Sequence, residues 1–112
     1  AMVEGGGGTF IVSGATASLR GGKNFAAFAS AKAGLRALTQ SLAREYGPQG
    51  IHVVHVVLDG IVDTDASRAL HSMDPARMMK PEDIACTYLA LADQPRSTWT
   101  HELDLRPKGE AF

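Results

Sequence analysis

Two stretches of this chain are apolar almost without interruption, and a third alternates. "TFIVS", residues 9–13, and "IHVVHVV", residues 51–57, are rich in β-branched residues, the pattern of strands covered on both faces. "TWTHELDLRP" sets Trp99, Leu103 and Leu105 on one side and Thr100, Glu102, Asp104 and Arg106 on the other, which predicts a strand with one wetter face. Between them the period changes to that of a helix. In "NFAAFASAKAGLRALTQSLAREYG", residues 24–47, the bulky residues Phe28, Leu35, Leu38 and Leu42 recur along one side. Asn24 is placed to cap this helix, and Gly47 with Pro48 to end it. Thr64 is placed to cap a short helix running to about His71. "KPEDIACTYLALADQP" reads as a further helix, with Pro81 at its first position, Glu82 and Asp83 at its positive end and Pro95 closing it.

Strands separated by helical stretches imply parallel pairing through crossovers, so the expected class is α/β with three parallel strands. The whole chain is expected to form one domain, with residues 1–8, "AMVEGGGG", as a flexible lead-in; Ala1 before Met2 is left out of fold reasoning. An edge strand "TFIVS" carries no charge or proline to blunt it. Something is expected to cover it: a second copy of the chain, or a part of a larger domain.

Composition narrows the possible functions. Of 112 residues, 45% are hydrophobic and 21% charged, with a formal charge of -1. That is ordinary globular usage. It gives no electrostatic case for nucleic acid or an anionic membrane surface. No apolar run reaches membrane-span length and no secretory signal pattern is present, so the expected setting is cytoplasmic. The lone Cys86 falls inside a helical pattern and is read as a small buried residue.

Metal chemistry finds little support. His52 and His55 stand three apart on a strand and point to opposite faces. Asp59, Asp63 and Asp65 lack the glycine and closing glutamate of a calcium loop, and are read as solvated or capping. No metal site is expected. The glycines Gly5–Gly8 precede a strand instead of opening a helix, and no G-x-G-x-x-G occurs. Met73, Met78 and Met79 are read either as lining an apolar cleft or as surface packing.

Lys32 stands out among the small residues Ala29, Ser30, Ala31, Ala33 and Gly34, one turn beyond Phe28. By itself it is a lysine snorkelling at a packing surface. The stretch "GGTFIVSGATASLRGG…FAAFASAKAGLRALTQSLAREYGPQGIHVVHVVLDGIVDT", with the later "PEDIA", nevertheless resembles the C-terminal half of a short-chain dehydrogenase/reductase, a family of nicotinamide-dependent oxidoreductases. The resemblance runs from about Gly7 to Leu105. It implies a partial Rossmann-like fold in which these strands are the fifth to seventh of a seven-stranded parallel sheet. The last crossover would be left-handed, against the usual rule.

The resemblance also assigns roles. Lys32 matches the family lysine that holds the nicotinamide ribose and raises the acidity of a tyrosine four residues earlier. That tyrosine position is Phe28, which has no proton to give. The family serine, thirteen before the tyrosine, falls on Ala15, with Thr16 and Ser13 as nearby hydroxyls. Tyr46 cannot substitute, lying 14 residues from Lys32, about 21 Å along the helix. Gly60, Val62 and Thr64 match a loop that contacts the nicotinamide, with Asp59 in its proline position.

The implied function is therefore an NAD- or NADP-dependent oxidoreductase. The glycine loop, the ribose-reading residue and the catalytic asparagine of relatives are not in this sequence, so the chain alone is expected to be inactive or weakly active, down to holding no cofactor. The alternative is a non-catalytic, self-associating module that pairs through helix 24–46 and strand 9–13.

Overall fold

The computed structural model describes residues 1–111. The elements run β1 (Gly8–Ala15), α1 (Ala26–Tyr46), β2 (Ile51–Leu58), α2 (Asp65–Leu70), α3 (Pro81–Ala92) and β3 (Glu102–Leu105), joined by 3-10 turns. The strands lie in the order β1-β2-β3 and all pair in parallel. Gly8 pairs with Ile51 through to Ala15 with Leu58, and His55 pairs with Glu102 through to Leu58 with Leu105. This is the expected α/β, Rossmann-like arrangement.

Every residue of β2 from Ile51 to Val57 is buried, because β2 is the central strand and both its faces are covered. Val54 and Val56 look toward α3, where Leu91 completes a core joined by Ile11, Tyr88, Leu103 and Leu105. His55 looks the other way, toward α1, whose Arg36 reaches the same Glu102 carboxylate. Strand order advances in one direction while the two connecting helices lie on opposite faces. The two crossovers are therefore of opposite hand, and one breaks the right-handed rule.

Several local expectations change. Gly8 already belongs to β1, and residues 2–6 form hydrogen-bonded turns, with Gly7 N–H donating to Met2 O at 2.8 Å. Asn24 does not cap α1: it takes a left-handed conformation (φ 70°), and Phe25 is the capping residue without a side-chain bond. At the other end α1 runs on into a 3-10 turn over Gly47–Gln49, and Gly50 (φ 90°) supplies the left-handed residue that turns the chain into β2. Thr64 does cap α2, accepting from Ser67 N–H at 3.0 Å, and Pro81 does open α3.

Burial along the helices follows geometry more than residue type. In α3 the inward positions are Ile84, Thr87, Tyr88 and Leu91, which leaves Cys86 exposed where a buried cysteine was expected. In α1 the inward positions include Ala29, Lys32, Arg36 and Thr39 beside the half-buried Leu35 and Leu42, so the expected apolar side is only partly turned in, with Phe28 and Leu38 about half exposed. The alternating strand is shorter than predicted. Trp99 ends a 3-10 turn and stacks flat on His52, ring centroids 4.7 Å apart.

Candidate functional site

The site forms where β1 ends, α1 begins and the loop after β2 passes. Ala15 is extended, then Thr16–Ser18 make one 3-10 turn, which folds the chain back over Gly14. A side chain at position 14 would come within 2.1 Å of His55 Nε2 and 2.7 Å of Ser18 Oγ, so only glycine lets the imidazole lie against the strand. Beside this turn is an open cleft of about 480 Å³, whose walls include Ala15, Thr16, Phe25, Phe28, Asp59 and Gly60.

Phe28 stands at this cleft in the first turn of α1, edge-on to Phe25. Lys32 Nζ lies 5.7 Å from the centre of the Phe28 ring, a distance at which a cation is attracted to the ring face. Among the described residues the ammonium has no hydrogen bond or ion pair. It can therefore give its donors to a ligand.

The other candidate residues separate. Thr16 donates its hydroxyl hydrogen to Asp59 Oδ1. Ser13 points to the opposite face of the sheet, where its Oγ meets Tyr88 Oη at 2.6 Å, so it is not brought to the cleft. Gly60 lines the cleft, whereas Val62 and Thr64 do not. Val62 forms a bridge with Met79, and the Thr64 hydroxyl is engaged with Ser67.

Asp59, in contrast to the solvated carboxylate expected, is 8% exposed. Arg106 lies 3.4 Å from its second oxygen. Asp63 takes both donors of Arg68, at 2.6 and 2.9 Å, and this pairing holds its carboxyl below the usual range. Among the described residues no three acidic, histidine or cysteine groups gather as a metal site. Met78 and Met79 are buried beside a second cleft of about 460 Å³.

Beneath the site lies a polar chain that sequence reasoning missed. Ala15 N–H donates to Ser18 Oγ at 3.1 Å, and Ser18 Oγ is 3.3 Å from His55 Nε2. His55 Nδ1 is 3.0 Å from Glu102 Oε2, and Arg36 grips the same carboxylate with two donors, at 2.8 and 3.0 Å. Donation by Arg36, with that of His55 as a smaller contribution, draws the Glu102 carboxyl down to about 2 despite partial burial. The signal available in the sequence was parity. Once β2 and β3 pair in register, His55 and Glu102 must share a face, and Arg36 stands one turn beyond Lys32.

For a nicotinamide cofactor, the donor set is suited to one end only. Lys32 would be the residue to hold the nicotinamide ribose, its ammonium having no hydrogen bond or ion pair among the described residues, whereas Thr64 is already spent on its helix cap.

Residues 1–102 match the family model described as Enoyl-(Acyl carrier protein) reductase. A curated 3alpha-hydroxysteroid dehydrogenase of Mediterraneibacter gnavus is 33% identical over 111 residues, covering 91% of this chain and 44% of that protein. A solved short-chain dehydrogenase from Rhodopseudomonas palustris superposes with a TM-score of 0.72 at 45% identity, over 95% of this chain and 41% of that one. A protein assigned as an NAD(P)-dependent gluconate 5-dehydrogenase, from Beutenbergia cavernae and solved with NADP at low occupancy, gives 0.77 at 27% identity over 92% and 46%. The chain spans between 25% and 44% of the length of four curated relatives it matches. The parallel sheet with helices on both faces, the lysine one turn beyond an aromatic ring and these matches agree: the chain belongs to the short-chain dehydrogenase/reductase family.

Proposed function

We propose that this chain forms the nicotinamide-ribose contact and the substrate cleft of an NAD(P)-dependent oxidoreductase that works without the family's tyrosine. The observation that carries this reading is the ammonium of Lys32, without a hydrogen bond or ion pair among the described residues and 5.7 Å from the ring of Phe28, which lines the cleft. A nicotinamide bound there would exchange a hydride with the substrate carbon. Lys32 binds the ribose hydroxyls, Phe28 and Phe25 give the cleft an apolar wall, and Ala15 offers only a methyl group. Proton transfer at the substrate oxygen therefore lacks its usual general acid, a loss of roughly 10² to 10⁴ in rate. The expected activity on simple alcohols is weak, and weaker for the chain alone. NADP in the Beutenbergia cavernae structure supports the cofactor class. A cytoplasmic setting is part of this reading, and among the described residues no helix is long and apolar enough to cross a membrane.

Phe28→Tyr tests it. In this chain and in a full-length relative with the same Phe–Lys pair, steady-state turnover should rise by one to several orders of magnitude. Unchanged turnover in both would contradict the role given to Phe28.

A second reading, self-association without catalysis, draws on a different observation. β1 is an edge strand, Phe10 on it is 43% exposed and Leu38 on α1 is 51% exposed. The radius of gyration is 15.5 Å, against about 13 Å for a compact domain of this length. In this reading helix 24–46 and strand 9–13 are covered by a second copy. Sedimentation showing only monomer at micromolar concentration would end it.

A further inference from the structure

We infer that Thr16 and Asp59 together make the cleft prefer a hydroxyl group to a carbonyl group, with Thr16 Oγ as the atom that meets the ligand and Asp59 as a positioning residue. This rests on the reading of the cleft as the substrate site.

Donor and acceptor supply at Thr16 sets this preference. A threonine hydroxyl has one proton and two lone pairs, and a carboxylate can only accept. The Thr16 proton is committed to Asp59 Oδ1. The Asp59 main chain is anchored by its N–H donating to Leu105 O at 2.8 Å, and Arg106, 3.4 Å from the other carboxylate oxygen, favours the side-chain position seen. The carboxylate is also largely shut off from water, which strengthens its hold on the Thr16 proton.

Thr16 Oγ is thus left with lone pairs for the cleft and no proton. Ala15, Ala17, Phe25 and Phe28 have no side-chain donor to add, and Glu110 at the rim is another acceptor. Arg20 is the one cationic side chain among the lining residues. A ligand hydroxyl can donate to Thr16 Oγ. At Thr16 Oγ a ketone oxygen, which only accepts, meets an acceptor instead, Phe28 is unable to offer the phenolic proton that would serve it, and Arg20 is the side-chain donor left to a carbonyl elsewhere in the lining.

The test compares a matched pair of probes, cyclohexanol and cyclohexanone, titrated into the chain without cofactor. The Thr16 methyl and Phe28 ring resonances report binding. Cyclohexanol should bind about three- to tenfold more tightly, the range expected of one net hydrogen bond. Thr16→Val and Asp59→Ala should each bring that ratio close to one, and Thr16→Ser should retain it. Asp59→Ala keeps every atom of Thr16, so a folding defect in one variant leaves the other to decide. No saturable shift with either probe, a ratio near one in the unaltered chain, or a ratio that survives Thr16→Val would each overturn the inference. Because no nicotinamide is present, failure of the oxidoreductase reading shows up separately, as an absence of cofactor binding.

Discussion

The two faces of the sheet are built from different materials. Toward α3 the contacts include Val54, Val56, Leu91, Ile11, Leu103 and Leu105, an apolar layer without directional demands, with the Ser13–Tyr88 hydroxyl contact at its exposed margin. Toward α1 the fully buried groups include His55 and Thr39, and Arg36, Glu102 and Ser18 close the polar chain between helix and strand. Apolar packing fixes how close two elements lie, whereas hydrogen bonds also fix the angle and register of each group. The face that demands geometry is the one beneath the cleft. There the polar chain ties α1, which carries Phe28 and Lys32, to the turn that carries Thr16.

Removing one component from each face should expose the contrast. Leu91→Ala is expected to cost about 3 kcal/mol, as large-to-small core changes do, and to cost the same at every pH where the chain folds. Glu102→Ala should cost somewhat less, about 2 to 3 kcal/mol, because its side chain is 26% exposed and the loss consists of three donors, two of Arg36 and one of His55, left without their acceptor. Denaturant titrations of both variants measure these values directly.

The pH dependence sharpens the comparison. The Glu102 carboxyl is lowered from 4.5 to about 2 in the folded chain, so the folded state binds its proton less readily than the unfolded one. Its stabilisation is fully present above 4.5 and is lost as pH falls from there toward about 2. A lowering of this size corresponds to at most about 3 kcal/mol, and to less as solvent screens the carboxylate. Glu102→Ala should therefore flatten the acid limb of the stability curve, and Leu91→Ala should shift that curve down without changing its shape. A Glu102→Ala curve parallel to the parent would show that the polar chain contributes no pH-linked stability.

Gly14→Ala probes the same face by crowding. The added methyl would meet His55 Nε2 at 2.1 Å, and relieving that contact should cost about 2 kcal/mol and displace the His55 ring resonances. The smallest effect is expected at the cleft mouth. Phe28 is 49% exposed, so Phe28→Tyr should change stability by less than about 0.5 kcal/mol even where it changes turnover.

This division explains what could be read from the sequence. The β2 strand, the Thr64 cap and the Pro81 start were legible because each depends on local chemistry: a β-branched run, a hydroxyl three residues before a free N–H, a ring with no N–H to lose. The α1 face was not legible in the same way. Phe28, Leu35, Leu38 and Leu42 do share a side, but the docked helix buries only Leu35 and Leu42 of them in part, beside Ala29, Lys32, Arg36 and Thr39, and leaves Phe28 and Leu38 half exposed, since the sheet beneath offers His55 and Glu102 as partners. Hydrophobic periodicity cannot reveal an interface made of polar groups. Cys86 was misplaced for a related reason, because the register of α3 is set by Tyr88 and Leu91. Lys32 and Phe28 were picked out by resemblance, whereas Asp59 was seen and misjudged: its burial depends on Arg106, 47 residues later.

The central claim is that the Lys32 ammonium is held ready for a nicotinamide ribose. Titrating the chain and its Lys32→Ala variant with NADH and NADPH, read by nucleotide fluorescence, tests it most directly. The account predicts saturable binding by the chain and a marked loss in Lys32→Ala, with Phe28→Tyr binding as the parent does. Superimposable curves for the chain and Lys32→Ala, or no saturable binding by either, would contradict it.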